Sequence, residues 1–184
     1  MVIVIVVVAL VLLVGLIWIL IRNSMVASRN RVDEAWSGID VQLKRRHDLV
    51  PNLVETVKGY ATHEQTVFTK TTEARAEAMK ATPVAATQQA EAKLSGALAD
   101  LRAVAENYPQ LRATENFQQL QRNLNEIEDE IQASRRIYNS NVQAYNTKIQ
   151  IFPNSIVANS SGFTAREFFE IEDGAEREPV QVKF

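Results

Sequence analysis

The stretch FQQLQRNLNEIEDEIQASRRIYNSNVQAYNTKIQIF, residues 117–152, carries the strongest periodic pattern in the chain. Its stripe steps by three and four residues: Phe117, Leu120, Leu124, Ile127, Ile131, Ser134, Tyr138, Val142, Tyr145, Ile149 and Phe152. This spacing places the stripe on one face of an α-helix, and the Glu, Gln, Asn and Arg residues between its members form an exposed face. The pattern predicts a long coiled-coil or bundle helix that Pro153 terminates.

Upstream residues also have helical spacing, and they predict three further helices. The apolar positions of the first are Val32, Trp36, Ile39, Leu43, Val50, Val54 and Val57. This helix is expected to end at Gly59, which offers a C-cap. An alanine-rich second helix is predicted over about residues 62–80, where THEQ (62–65) has the form of a capping box. The third follows the turn at Pro83 and ends near Pro109.

The fold class predicted from these patterns is all-α: an N-terminal transmembrane helix followed by a long antiparallel four-helix bundle or coiled coil. No stretch before Ile156 alternates apolar and polar residues as a strand does. We expect the two long helices, the first and the fourth, to form a two-helix stalk and to continue into a bundle with the two short ones. The main alternative joins the first two helices into one rod through residues 59–62, without a reversal there.

The N-terminal run VIVIVVVALVLLVGLIWILI, Val2 to Ile21, contains no charged residue. A helix of this length rises about 30 Å, which matches the hydrocarbon core of a bilayer. No Lys or Arg precedes the run, so we predict a retained membrane anchor rather than a cleaved signal peptide. Trp18 suits an interfacial position, and Gly15 lacks a GxxxG partner, so we expect assembly contacts in the body rather than in the span.

Basic residues follow the predicted anchor but do not precede it: Arg22, Arg29 and Arg31. Because Lys and Arg near a span are enriched on the cytoplasmic side, we expect the N-terminus outside and the C-terminal body in the cytoplasm.

Composition excludes several function classes. The 184 residues include no cysteine, which rules out disulfides, thiolate metal sites and cysteine nucleophiles. The 20 basic and 22 acidic residues are spread through the chain, so no broad basic face for nucleic acid is expected.

The stretch RRHDLVPNLVETV, residues 45–57, resembles an active site at first sight, but its spacing favours a structural role. His47 and Asp48 are adjacent, so on a helix they point about 100° apart and cannot orient one another. Pro51 cannot donate to the carbonyl of His47, so we predict a bend whose free acceptor is satisfied by Asn52 or a water. Arg45 and Asp48 are placed to pair across one turn.

Metal and catalytic motifs fail on spacing. His63 and Glu64 begin like a zinc-protease helix, but Val67 stands where the second histidine is required. Lys44 and Tyr60 precede the two histidines by three residues, so the Glu-x-x-His motif of di-iron bundles is absent. The acidic run EIEDE, 126–130, is interpreted as a solvated, salt-bridged face. We therefore predict no enzymatic activity, no cofactor, no metal and no small-molecule substrate.

The segment YNSNVQAYNTKIQIFP, 138–153, and the aromatics after it are the predicted contact surface. Tyrosine supplies an apolar body with a polar tip, and asparagine beside a stripe can fix register. A solvated helix with two tyrosines in the seam is an equally supported interpretation of the segment. The interface candidates are Tyr138, Asn139, Asn141, Tyr145, Asn146, Phe152, Phe163, Phe168 and Phe169.

The blocks RRHDLVPNLVETVKGYATHE and SRRIYNSNVQAYNTKIQIFPNSIVA, followed by GF and FFE, resemble the LemA family of bacterial membrane proteins. The resemblance spans nearly the whole chain up to Phe169. It implies a helical bundle behind one N-terminal transmembrane helix at the bacterial inner membrane. Members are not known as enzymes, and one branch is associated with magnetosome membranes. The matching residues, expected to be structural or contact positions, are Arg45, Asp48, Leu49, Pro51, Asn52, Leu53, Tyr138, Asn139, Val142, Tyr145, Asn146, Phe152, Pro153, Phe163 and Phe169.

These inferences divide the chain into an anchor (1–22), a helical bundle (23–153) and a C-terminal segment (154–184) with docking aromatics. Its tail is expected to be partly disordered, with weak strand potential over 180–184. We expect a membrane-anchored protein that acts by protein–protein contact, through homo-oligomeric assembly, membrane organisation or scaffolding, with the lipid bilayer as a further partner. The alternative is an adaptor in envelope signalling or protein quality control that binds a specific partner.

Overall fold

Residues 117–152 lie almost entirely in one long helix, as their stripe predicts. A computed structural model of the chain describes residues 1–170, and these form six α-helices and no strands. The helices are α1 (Val2–Lys58), α2 (Gln65–Ala78), α3 (Val84–Glu106), α4 (Pro109–Arg112), α5 (Glu115–Gln150) and α6 (Asn154–Ser161). The all-α fold class is confirmed. The predictions for the tail, partial disorder and weak strand potential over 180–184, lie outside the described residues.

Helix α5 buries its predicted stripe from Phe117 to Ile149, with Ser134 only partly buried. Phe152 does not continue the stripe: the helix ends at Gln150, and Phe152 is 79% exposed. A helix side chain keeps its face only while the helix continues, so the last member of the pattern was wrongly assigned to the packed face.

Helix α1 is continuous from the apolar N-terminus into the charged part of the chain, as expected. Among the described residues, α1 is the one helix that is long and apolar enough to cross a membrane. Its apolar stretch is not buried by any other part of the protein. Val2 is 74% exposed, and a Cβ atom added at Gly15 would have no atom within 4 Å. The exposed surface is thus a whole apolar cylinder rather than a stripe, which is typical of a membrane span.

The described residues fall into two compact units, each treated separately below. The anchor unit comprises Met1–Gly38 and Arg136–Phe168. The bundle unit comprises Ile39–Arg135 together with Phe169 and Glu170.

In the bundle unit, α2 reverses direction relative to α1. Gly59 follows the last residue of α1, and Arg75 of α2 hydrogen-bonds to His47 of α1. That contact needs an antiparallel pair, so the alternative of one continuous rod through residues 59–62 is wrong. The predicted capping box is also wrong, since Glu64 holds the N-cap position of α2 without a side-chain cap.

Helices α2 and α3 pack together, and polar contacts tie α1 to α3 and α3 to α5. The bundle core is apolar and includes Val50, Leu53, Val57, Phe68, Leu94, Leu101, Leu111, Phe117 and Leu124. The short α4 was not predicted separately from its neighbours. At four residues it is a single turn, below the length at which periodicity is readable.

In the anchor unit, α1 and α5 run antiparallel. The ring of Trp36 lies 5.4 Å from that of Tyr138. Further along α5, Lys148 Nζ contacts Ser24 and Ser28 of α1. After α6, Gly162 adopts a positive φ of 71°, a conformation that glycine takes without strain, and the chain turns back along α5.

Candidate functional site

A buried carboxylate organises the polar interior of the bundle unit. Glu91 of α3 is 0% exposed, and its two oxygens face α1. His47 Nε2 lies 2.6 Å from Glu91 Oε1, and Arg46 Nη1 lies 3.4 Å from Glu91 Oε2. A buried carboxylate is tolerated when its charge is paired and its oxygens accept hydrogen bonds, and both conditions hold here.

Arg46 extends this cluster towards α5. Its Nη2 donates to Ser95 Oγ at 2.6 Å, and its Nη1 lies 3.6 Å from a carboxylate oxygen of Glu128. The Nε of Arg46 is buried without a hydrogen-bond partner. One guanidinium therefore connects α1, α3 and α5.

The carbonyl of His47 has a protein partner. Pro51 lies inside α1 and has no N–H to donate to that oxygen. Arg75 Nε of α2 donates to it at 2.7 Å. The free acceptor predicted from the sequence is real, but its partner is Arg75 rather than Asn52, which is exposed.

Of the other residues of the RRHDLVP stretch, Val50 is in the apolar core and Leu49 packs against it, whereas Arg45, Asp48 and Pro51 are exposed. Arg45 and Asp48 are both exposed, and Arg45 Nη1 donates to Gln42 Oε1 at 2.9 Å. Glu91, Arg46 and Arg75 were missed by the sequence analysis. A usable signal was the position of Glu91 three residues before Leu94, because a carboxylate there falls within the apolar stripe of α3.

The polar groups of this cluster contact one another and connect α1, α3 and α5. The cleft beside Arg46 has a volume of about 300 Å³ and is also lined by Arg102, Asn125 and Glu128. Arg102 Nη2 donates to Asn125 Oδ1 at 3.2 Å, so the polar groups of its wall contact one another. Among residues 1–170 no group of three His, Cys, Asp or Glu side chains is placed to hold a metal ion.

The anchor unit holds the second polar site, where residues 163–168 lie along α5. We call these residues the return segment. Tyr138 donates its hydroxyl to the carbonyl of Glu167 at 2.9 Å, and Tyr145 donates to that of Thr164 at 3.0 Å. The side-chain amide of Asn146 donates to the Arg166 carbonyl at 2.9 Å and accepts from its N–H at 2.8 Å. Asn146 therefore pairs with the segment backbone as a strand neighbour would.

Charged and aromatic contacts add to the docking of the return segment. Arg166 lies 2.9 Å from a carboxylate oxygen of Asp33 on α1. The guanidinium of Arg29 lies 5.7 Å from the ring centroid of Phe163, within cation–π range. Burial raises the pKa of Tyr138 and of Tyr145, and the charge of Arg166 partly opposes this in both. Both phenols therefore stay protonated donors at neutral pH.

The predicted interface residues divide by exposure. Tyr138, Tyr145 and Phe169 are buried within the chain, and Asn139, Asn141, Asn146 and Phe163 are partly buried. Phe152 and Phe168 remain exposed. Contact with a second chain stays a prediction for all of them. Of these residues, Tyr138, Tyr145 and Asn146 hydrogen-bond to the return segment of the same chain.

The anchor residues lie on one uninterrupted stretch of α1. Val2 and Arg22 are fully on the surface, and Ile21 is partly buried. Trp18 is 36% exposed and lies one turn before Arg22. This places an aromatic ring just inside the end of the apolar run, where interfacial tryptophans are common.

Comparison with known proteins gives concordant matches. The model of the LemA family matches residues 35–184. Two proteins of Paramagnetospirillum magneticum strain AMB-1, Magnetosome protein MamQ 1 and MamQ 2, are each 26% identical over 174 aligned residues, covering 80% of this chain and 64% of theirs. Protein LemA of Metamycoplasma hominis is 29% identical over 142 residues, covering 74% of this chain and 63% of its own length. The chain thus spans slightly less than two thirds of the length of these curated relatives.

Proposed function

The chain belongs to the LemA family, and on this premise we propose that it is a single-pass membrane protein whose helical body acts through protein–protein contact, chiefly by assembling laterally with copies of itself. The family and the apolar N-terminal helix indicate a helical protein associated with a membrane. Neither LemA nor MamQ proteins are known as enzymes. From relatives that carry the name of magnetosome proteins, we extend to this chain a role in membrane organisation.

The observation that carries the proposal is the course of α1. One uninterrupted helix contains an apolar run with no buried surface and the charged, packed residues that follow it. An apolar cylinder of that length is stable in a bilayer but not in water. The packed body is therefore held close to the membrane surface, where confinement to two dimensions raises the effective concentration of copies.

Exposed apolar residues outside the span support contact between copies. Ile137 is 60% exposed and lies on α5 just before the buried Tyr138. Phe168 of the same unit is also exposed. Burial of these two exposed side chains in a neighbouring copy would remove apolar surface from water.

The experiment compares two matched substitutions in the full-length protein. Ile137→Asp places a charge on the proposed contact, and Val41→Asp places one at a similarly exposed aliphatic residue of the bundle unit. Amine-reactive crosslinking in native membranes should give a ladder of multimers that Ile137→Asp shortens and Val41→Asp leaves unchanged. An unchanged ladder for Ile137→Asp would exclude this contact. A wild-type protein that never crosslinks to itself but captures one other protein would favour the adaptor instead.

Orientation is a separate part of the proposal. We place the N-terminus outside and the body in the cytoplasm because Arg22, Arg29 and Arg31 follow the span. The chain lacks cysteine, so single substitutions report cleanly. A membrane-impermeant maleimide added to intact cells should label Val2→Cys and spare the exposed Asp129→Cys until the cells are lysed. Labelling of Asp129→Cys in intact cells would reverse the orientation.

A further inference from the structure

The turn between α5 and α6 exposes apolar side chains at the end of the anchor unit. Ile151, Phe152 and Ile156 are 51%, 79% and 55% exposed. In α6 the neighbouring Val157 and Ala158 are buried, so this helix packs through one face and exposes Ile156 at its start. We call residues 151–156 the apolar turn.

The pairing of α1 and α5 fixes the height of this turn along α1. Tyr138 lies beside Trp36, and ten residues later Lys148 contacts both Ser24 and Ser28. Steps along α5 are therefore matched by equal steps back along α1. This register brings Gln150, the last residue of α5, level with Ser24, so the chain enters the apolar turn close to Arg22, where the apolar run ends.

Backbone hydrogen bonds hold Ile156 close to the end of α5. The N–H of Ser155 donates to the carbonyl of Ile151 at 2.9 Å, and that of Ile156 donates to Pro153 at 3.2 Å. The turn is thus compact, and its three exposed apolar residues are close in the chain near Trp18 and Arg22, the pair expected at a membrane boundary.

The acidic residues of the anchor unit lie away from the apolar turn. Residues 1–32 and 136–166 contain no Asp or Glu, and Arg22 and Lys148 are the basic residues placed towards the turn. The three acidic residues of the unit are Asp33, Glu34 and Glu167. Asp33 lies near Trp36, and the carbonyl of Glu167 accepts from Tyr138, so all three lie at the end remote from the turn. A surface without acidic side chains does not repel anionic lipid headgroups, and its basic side chains attract them.

We propose that the apolar turn inserts into the bilayer interface beside the transmembrane helix, as a second membrane contact made by the C-terminal part of the chain. The occupant of this surface is lipid. The turn continues the apolar surface of the span at the same height, and the residues around it are basic or neutral. The two contacts together restrict the tilt and rotation of α1 in the membrane, because α5 and α6 are packed on it.

The proposal rests on the membrane anchor of the proposed function. Three single-cysteine variants test the lipid contact of the apolar turn separately from the insertion of the anchor. Ile156→Cys reports on the apolar turn and leaves Phe152 in place. Ile137→Cys is the control for quenching by lipid, since Ile137 is an isoleucine of the same unit with 60% exposure, against 55% for Ile156, and its proposed contact is with protein. Val11→Cys reports on the anchor.

Each full-length variant carries an environment-sensitive nitrobenzoxadiazole label and is placed in bilayers of phosphatidylethanolamine and phosphatidylglycerol. Lipids with a doxyl quencher near the headgroup should quench the label at 156, with blue-shifted emission, and leave the label at 137 unquenched. Deep doxyl lipids should quench the label at 11.

The other outcomes overturn specific claims. If the label at 156 behaves like that at 137 while the label at 11 is quenched, the turn does not touch lipid and the anchor stands. If the label at 11 is not quenched, the anchor fails and this inference fails with it. A label at 156 that is blue-shifted without doxyl quenching, and reverts on dilution into excess lipid, identifies a second copy as the occupant and excludes the bilayer.

Discussion

Arg75 of α2 donates its Nε–H to the carbonyl oxygen of His47 in α1 at 2.7 Å. That oxygen is the acceptor that Pro51 leaves without its usual helical donor. The contact joins two consecutive helices at a point where the backbone of one needs a partner. A proline inside a helix is thus accommodated by the side chain of its neighbour.

This pair predicts a coupling between Arg75 and Pro51. Arg75→Met should lower the free energy of unfolding by about 1–3 kcal/mol, because a partly buried carbonyl loses its donor. In a Pro51→Ala background the new N–H at position 51 can donate to His47, so the same substitution should cost less. Chemical denaturation followed by circular dichroism, on the full chain in detergent, measures the cycle. Equal costs in both backgrounds would contradict the assignment.

The burial of the Glu91 carboxylate predicts a large loss of stability when its charge is removed. Glu91→Gln removes the buried charge that faces Arg46 and His47, which leaves the buried guanidinium only the part-exposed carboxylate of Glu128, 3.6 Å away. The expected loss is about 3–5 kcal/mol in the free energy of unfolding. Glu77→Gln is the control, since Glu77 pairs with Lys93 on the surface and should cost at most about 1 kcal/mol. Similar losses for both variants would refute a special role for Glu91.

Docking of the return segment depends on one asparagine side chain. Asn146→Ala removes the acceptor of the Arg166 N–H and the donor to its carbonyl. The Arg166 amide should then exchange with deuterium faster than in the wild type, while amides of α3 in the bundle unit keep their rates. Gln143→Ala changes an exposed residue of the same helix and serves as the control. Unchanged exchange at Arg166 would mean that Asn146 does not hold the segment.

Two tyrosines predict a pH dependence of the same contact. The pKa of Tyr138 and of Tyr145 is raised from 10.0 by burial, so above pH 10.0 the unfolded chain loses these protons first. The folded state then binds more protons, and stability falls as the pH rises. The contribution is complete below pH 10.0 and is lost as the pH passes the folded pKa values. Phenolate absorbance at 295 nm should show a late component, above pH 10.0, from Tyr138 and Tyr145. Tyr138→Phe and Tyr145→Phe assign the late component, and a single early transition would contradict the burial.

Local periodicity predicted the helices well. The stripe of α5 and the continuity of α1 follow from spacing within one segment, which needs no knowledge of partners. The stripe failed at Phe152, where the helix ends two residues earlier and exposes the ring. Spacing alone does not locate a helix end to better than a few residues.

Contacts between distant segments were the harder part. The structural role of His47 was predicted, but its partner Glu91 lies 44 residues away on another helix. Arg75 and Arg166 were missed because each binds a backbone carbonyl or a carboxylate that no local pattern marks. The reversal between α1 and α2 was left open because both arrangements have the same apolar spacing. Asn146 was singled out, but as a register or interface residue rather than as the partner of a backbone segment.

The most direct test of the central claim is the mass of the full-length protein in lipid nanodiscs, measured particle by particle by mass photometry over a series of dilutions. Lateral assembly of an anchored body predicts particles that contain several chains and that dissociate only on strong dilution. The Ile137→Asp variant should dissociate at higher concentration than wild type, and Val41→Asp should not. Particles with a single chain at every concentration, wild type included, would contradict the claim that this protein acts by assembling with itself.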